Sequence, residues 1–244
     1  MSVGQGPARA VLALGLASTL VPSGVASADE GRDERRLHLA LRTGFGLPLG
    51  HYASVRTVAG FRDTSVNALL DDTHGVIPLW LDVGYRWSAH WMVGGYVMAG
   101  LVLPKTAADN DPLGGGCPKG FDCSAFGVRA GLQVQYRLAP GEPLDPWLGL
   151  GVGYEWIESS VEGELLSFPF DASFTHSGPD LLHLQGGLDV AIAEDASLGP
   201  FLSLSAMRYT ACSAELSDDD ADCQLSEQSW HGWLVFGVRG ALEL

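Results

Sequence analysis

The sequence predicts an all-β fold, an eight-stranded antiparallel up-and-down transmembrane β-barrel, and three observations carry that expectation. Apolar residues alternate with small or polar ones in a period-two pattern that returns eight times. Each alternating segment supplies the roughly 9–11 residues that a tilted strand needs to cross a bilayer. The connections between segments are alternately short and long. A strand sends successive side chains to opposite faces, so each segment has one greasy and one polar face. In a barrel standing in lipid the greasy face looks outward and the polar face looks into the lumen.

Residues 1–28 read as a processing signal. Arg9 is the only charge before an apolar run over 10–20, Pro22, Ser23 and Gly24 interrupt it, and Ala26, Ser27 and Ala28 supply small residues. This order predicts a secretory signal cleaved after Ala28, leaving 29–244 as the barrel domain. The run is shorter than the ~20 residues of a helical span. Without Arg9 the chain has 13 basic and 29 acidic residues, a net charge of −16. That surplus disfavours nucleic acid and anionic headgroups as partners.

The first strand is predicted over 36–46, with Leu37, Leu39, Leu41, Thr43 and Phe45 outward. The second, 76–87, alternates Ile77, Leu79, Leu81, Val83, Tyr85 and Trp87 with Pro78, Trp80, Asp82, Gly84 and Arg86. A tight connection at 88–90 leads to the third, 91–103, which points Trp91, Val93, Val97 and Leu101 outward. The fourth, 124–138, is the clearest, with Phe126, Val128, Ala130, Leu132, Val134 and Tyr136 opposite Gly127, Arg129, Gly131, Gln133, Gln135 and Arg137. A Pro/Gly turn precedes the fifth, 147–157, with Leu148, Leu150, Val152, Tyr154 and Trp156 outward. The sixth, 180–192, sets Leu182, Leu184, Leu188, Val190 and Ile192 against His183, Gln185, Gly187 and Asp189. The seventh, 198–209, sets Leu202, Leu204 and Ala206 against Ser203 and Ser205. The eighth closes the chain with Leu234, Phe236, Val238, Leu242 and Leu244 outward.

Residues 88–90, 139–146 and 193–197 form the short connections, and 47–75, 104–123, 158–179 and 210–229 the long ones. Short turns belong in the periplasm and long loops outside, which puts both termini on the periplasmic side and requires an even strand number. Trp87, Trp91 and Tyr136 at one level, and Phe45, Trp156 and Trp230 at the other, predict two interfacial aromatic belts.

On these residues the chain resembles the small eight-stranded outer-membrane barrels of Gram-negative bacteria, the class that includes the barrel domain of outer membrane protein A. The resemblance covers the whole of 29–244 and rests on architecture rather than on a motif. The tail is similar to the assembly signal of such barrels, with Leu242 and Leu244 after Gly240, although Leu244 stands where the pattern usually has Phe. It implies residence in the cell outer membrane, a porin-like outline and contact with outer-membrane lipid. No peptidoglycan-binding domain is expected beyond the eighth strand, and no nucleophile motif of the membrane-embedded lipid A enzymes is found.

The predicted lumen collects Arg36, His38, Arg42, Asp82, Arg86, Arg129, Gln133, Gln135, Arg137, Glu155, His183, Gln185, Asp189, Arg239 and Glu243. An eight-stranded barrel is just wide enough for side chains to fill it, so these groups should pair and block flow. His38, His183, Asp189 and Glu155 are also of the types that serve as acid/base groups or metal ligands, but their spacing matches no catalytic or zinc pattern. No catalytic residue, metal site or cofactor is assigned. Cys117 and Cys123 close a segment of the second long loop, and Cys212 and Cys223 one of the fourth. Sequential disulfides are expected, against a four-cysteine metal site whose paired short gaps are missing.

The four long loops carry 16 acidic residues against Arg56, Arg62, Lys105 and Lys119, a rim of about −12. Asp109 and Asp111, or Asp218, Asp219, Asp220 and Asp222, are hard-oxygen candidates for calcium, without a complete binding-loop pattern. The functional expectation is a monomeric, non-enzymatic envelope protein, acting in envelope integrity or through a surface partner that its acidic, disulfide-clamped loops reach. The alternative is a narrow pore or conduit for a small solute, suggested by interior glycines such as Gly127, Gly131, Gly149, Gly151 and Gly153.

Overall fold

The computed structural model describes residues 37–50, 73–105, 117, 120–165, 168–216, 219–221, 223 and 230–244. Residues 1–36, with the predicted signal and Arg36, and most of the first and second predicted long loops lie outside that set. Ten strands are described: β1 (Leu37–Gly50), β2 (Thr73–Arg86), β3 (Trp91–Pro104), β4 (Phe121–Arg137), β5 (Leu144–Leu165), β6 (Phe168–Ala191), β7 (Ala196–Arg208), β8 (Ala211–Leu216), β9 (Asp219–Ala221) and β10 (Trp230–Glu243). Each of β1 to β6 pairs antiparallel with the next, β7 pairs with β10, and β10 pairs with β1. The ring of β1 to β7 and β10 is therefore a closed eight-stranded barrel without an open edge at membrane level. Closure satisfies the backbone polar groups that hydrocarbon cannot solvate.

The barrel is greasy outside and charged inside. Leu41, Leu79, Leu101, Leu132, Leu148, Leu184, Leu202 and Phe236, one from each barrel strand, are all exposed, while Arg42, Asp82, Arg129, Glu155, Asp189 and Arg239 are buried. In water an apolar surface encircling the whole molecule would drive aggregation, whereas lipid is its matched solvent. Trp87, Trp91 and Tyr136 are exposed together at the short-turn end, with Trp91 and Tyr136 ring centroids 4.8 Å apart. Trp156 and Trp230 are exposed at the long-loop end. These are the two expected belts.

Beyond the upper belt the hairpin of β5 and β6 runs on, where the sequence predicts a loop over 158–179. The reason is a change of solvent. Below Trp156 the outward set of β5 is apolar; above it the outward residues are Glu158, Ser160, Glu162 and Glu164, and the inward ones include Ile157 and Val161. The strand continues straight while its apolar phase inverts, because water replaces lipid outside. On β6 likewise Asp171, Ser173 and Thr175 share the outward phase, and Ala172 is buried. With the upper part of β4, and with β8 and β9, these strands make a five-stranded sheet in the order β4-β5-β6-β8-β9 beyond the barrel mouth.

Disulfides sit at the two sides of that sheet. Cys123 lies in β4 and bonds Cys117, and Cys212 lies in β8 and bonds Cys223, the expected sequential pairing. The Cys117 amide also donates to the Lys105 carbonyl at 2.6 Å, which ties the crosslinked segment back to the end of β3. An unpaired strand edge recruits other chains, and covering it is a common defence.

The interior glycines provide room for side chains rather than an open path. A Cβ at Gly131 would stand 2.6 Å from Tyr96 Cζ, one at Gly153 2.7 Å from Tyr96 Oη, and one at Gly187 2.9 Å from Trp147. Tyr96 and Trp147 are themselves buried, at 2% and 1% exposure. The Cβ at Gly131 would also stand 2.3 Å from the Val152 carbonyl oxygen, whereas the nearest atom to a Cβ at lipid-facing Gly240 is 3.9 Å away. Gly131→Ala should therefore destabilise the barrel by about 1–3 kcal/mol and Gly240→Ala by less than about 0.5 kcal/mol, read by urea unfolding in lipid vesicles.

Candidate functional site

The lumen is the chemically distinctive region of the described chain. Every predicted inward residue that is described turns into it. They form three layers from the short-turn end upward.

In the lowest layer Glu243 Oε1 accepts from His38 Nδ1 and from Arg137 Nη1, both at 2.8 Å, and from Arg86. Arg137 Nε donates to Asp145. Arg239 spans upward, donating to Asp189 Oδ2 at 2.7 Å and Gln135 Oε1 at 3.2 Å, with its guanidinium 4.3 Å above the Trp147 ring. Its Nη2 also meets His38 Nε2 at 2.7 Å. Arginine only donates, so that His38 nitrogen accepts and the other carries the proton toward Glu243.

In the middle layer Arg42 and Asp82 form a two-contact pair, Nε to Oδ2 and Nη2 to Oδ1, each at 2.7 Å. Gln133 Nε2 donates to the same Asp82 Oδ1 at 2.9 Å, and Gln185 accepts from Arg42 while donating to Gln133. The Arg42 guanidinium lies 5.0 Å from the Trp80 ring and 5.4 Å from that of Phe201. Four strands thus meet at one carboxylate and one guanidinium.

In the upper layer Arg129 Nη2 donates to Glu155 Oε1 at 2.7 Å, and its Nη1 stands 3.5 Å from Asp180 Oδ2. Tyr96 Oη donates to Asp180 at 3.1 Å, and His231 Nε2 donates to Glu155 Oε2 at 3.1 Å. Tyr209 stacks on His231 with centroids 3.9 Å apart, and its hydroxyl donates to Glu155 Oε2 at 3.4 Å.

Sequence reasoning missed Asp145, Asp180, His231, Tyr96 and Tyr209 as members of this network. Asp145 falls in what reads as a turn but starts β5, where it meets Arg137. Strict alternation from His183 would send Asp180 outward. A β-bulge shifts the register of β6 against β7 between Asp180 and Leu182, and against β5 between the pairs Gly153–Asp180 and Gly151–His183, so Leu181 and Leu182 both face lipid while Asp180 and His183 both face the lumen. A bulge adds one residue and re-aims its neighbours. The readable signal is the pair of adjacent leucines inside an alternating segment.

Among the described residues no group of three or more His, Cys, Asp or Glu is placed to hold a metal ion. His38, His183, Asp189 and Glu155 do not converge: His38 and Asp189 share Arg239 in the lower part of the lumen, while Glu155 and His183 belong to the upper layer. Breaking a buried pair leaves the surviving charge stranded. Arg42→Met should therefore cost about 3–5 kcal/mol, and the double variant Arg42→Met with Asp82→Leu distinctly less, in a thermodynamic cycle by urea unfolding in vesicles.

A closed, even-stranded barrel with a lipid-facing apolar band and aromatic belts is of the outer-membrane type. No protein-family model matches the chain, and no curated protein matches it. Among solved structures, the chain is similar to Neisserial surface protein A at 12% identity, covering 85% of this chain and 97% of that one with a TM-score of 0.41. It is similar to outer membrane protein AlkL at 16% identity, with coverage of 92% and 98% and a TM-score of 0.45. A major outer membrane protein from Thermus thermophilus is 14% identical, with coverage of 84% and 99% and a TM-score of 0.48.

Proposed function

We propose that this chain is exported by a signal peptide cleaved after Ala28 and stands in the outer membrane as a monomeric, non-enzymatic barrel with a plugged lumen. Its work is done outside the cell, in envelope integrity or by contact with a surface partner. The observation that carries this reading is the contrast between the two ends of the molecule. The lumen is filled in three layers by paired side chains, whereas the sheet beyond the mouth is crosslinked at both sides and turned toward water. Asp122, Glu158, Glu162, Glu164, Asp171 and Glu215 are all exposed there. Asp122, Glu162 and Asp171 face one another in register across β4, β5 and β6. Like charges placed directly opposite repel, so this face is built for something other than stability.

The extracellular sheet rather than the lumen is where a partner would be met. Loops and their extensions carry such functions on a rigid scaffold. Neither a catalytic constellation nor a cofactor is needed for this role, and the lipid contact is with the apolar band.

Two measurements test the proposal. Purified protein reconstituted in planar bilayers at neutral pH should show no steady conductance; a steady open current would instead favour the narrow conduit. The mass of protein recovered from outer membranes should correspond to a chain starting at Asp29, and retention of 1–28 would overturn the export reading.

A further inference from the structure

Among the described arginines, one stands on the outside of the wall. Arg42, Arg86, Arg129, Arg137 and Arg239 turn into the lumen, whereas Arg208 lies in the outward phase of β7, in line with the exposed Leu198, Leu202 and Leu204. It pairs across the ladder with Trp230 of β10, an exposed member of the upper aromatic belt. Arg208 therefore stands at the level of the lipid headgroups. Among the described residues no ion pair joins it to a carboxylate, and its buried Nε has no hydrogen-bond partner. A cation on the lipid face is tolerated at this depth because its head can reach water or phosphate.

The neighbours of Arg208 suit a phosphate ester. Gly178 of β6 packs so closely on β7 that a Cβ there would stand 2.0 Å from the Arg208 carbonyl oxygen, which brings Ser177 and Pro179 beside it. Tyr154 of β5 pairs with Pro179, and its hydroxyl meets that of Ser177 at 3.2 Å. Trp156 pairs with Ser177 and holds its ring 4.6 Å from that of Tyr154. One guanidinium, two hydroxyls and two indoles thus gather at the rim. The planar fork of arginine matches phosphate oxygens with two parallel hydrogen bonds.

Directly below this group the wall sinks. Ala206 and Gly232 are the next outward positions of β7 and β10 toward the bilayer centre, and a Cβ at Gly232 would lie 3.6 Å from the Ala206 Cα. The two smallest side chains therefore sit side by side. Leu181 and Leu182, both turned to lipid by the β6 bulge, stand exposed to one side, and Leu49 of β1, which pairs with Gly232, stands on the other. Together these residues shape a dent in the apolar wall that begins under the arginine.

We infer that this patch seats one anionic phospholipid at the long-loop rim, with its phosphate on Arg208 and the adjoining methylenes in the dent over Ala206 and Gly232. A zwitterionic lipid carries its own cation beside its phosphate and leaves the site with a net positive charge, whereas an anionic headgroup neutralises it. The acidity of the chain disfavours anionic lipid in general, so the selection is local. Along the outward phase of β6, Ser173, Thr175 and Ser177 separate this level from Asp171, and on β5 Trp156 separates Tyr154 from Glu158. The site lies outside the wall, so it stands whether or not the lumen conducts.

The test is native mass spectrometry of the folded barrel in neutral detergent, titrated with phosphatidylglycerol or with phosphatidylcholine of the same acyl chains. Wild type, Arg208→Gln and Ala206→Leu are compared, each shown to be folded by a heat-dependent gel shift. Arg208→Gln carries the test if Ala206→Leu does not fold. The wild type should hold one phosphatidylglycerol about tenfold more tightly than phosphatidylcholine, the worth of a charge-assisted hydrogen bond. Arg208→Gln should bind the two lipids alike, and Ala206→Leu should weaken both. Excess inorganic phosphate should leave the bound lipid in place, and displacement by it would make this a free-anion site and overturn the lipid assignment. Equal retention of the two lipids by the wild type, or a preference unchanged in Arg208→Gln, overturns the site. Lipid binding undiminished in Ala206→Leu overturns the seat in the dent.

Discussion

The structure depends on one constraint: a closed eight-stranded sheet in hydrocarbon must place its polar half in an interior barely wider than a side chain. Each inward charge therefore has to find its partner within that interior, from another strand. Arg42 of β1 meets Asp82 of β2, Arg129 of β4 meets Glu155 of β5, and Arg239 of β10 meets Asp189 of β6. Such contacts range from consecutive strands, with 26 residues between Arg129 and Glu155, to the two ends of the barrel, with 205 between His38 and Glu243. Register and ion pairing specify each other, since a one-residue slip would carry the whole charged set into lipid.

Outside the barrel the constraint reverses. Where β5 and β6 leave the bilayer, the same antiparallel pairing continues with its apolar phase inverted, and carboxylates take the outward positions. Among the described residues this sheet ends in open edges, which the barrel does not, and its two disulfides lie at those sides. Crosslinks in an oxidising compartment suit a structure that must resist proteolysis and stray strand pairing. The molecule divides accordingly into an ion-paired transmembrane part and a crosslinked, acidic part turned toward water.

Most of the barrel was legible in the sequence because lipid and lumen impose opposite demands on successive residues. The inward positions of Arg42, Asp82, Gln133 and Arg239 follow from parity alone. The continuation of β5 past Trp156 was not legible, because a strand that exchanges lipid for water looks like a strand that ends. Asp180 was hidden by a bulge that changes parity without changing composition. Partners were hidden too: parity places Glu155 inside but cannot say that Arg129 rather than Arg42 will meet it, since that choice depends on stagger around the ring. The interior glycines were read as space, and they are, but the space is taken by Tyr96, Trp147 and Gln185.

The central claim, a lipid-facing apolar wall around a dry, ion-paired lumen, is tested most directly by solid-state NMR of the barrel in bilayers, with polarisation transferred separately from lipid acyl protons and from water. The account predicts rapid transfer from lipid to Leu79, Leu132 and Leu202, and transfer from water to Arg42, Gln133 and Gln185 far slower than to the residues of the outer sheet. Water transfer to those three lumen side chains as fast as to the outer sheet would contradict it.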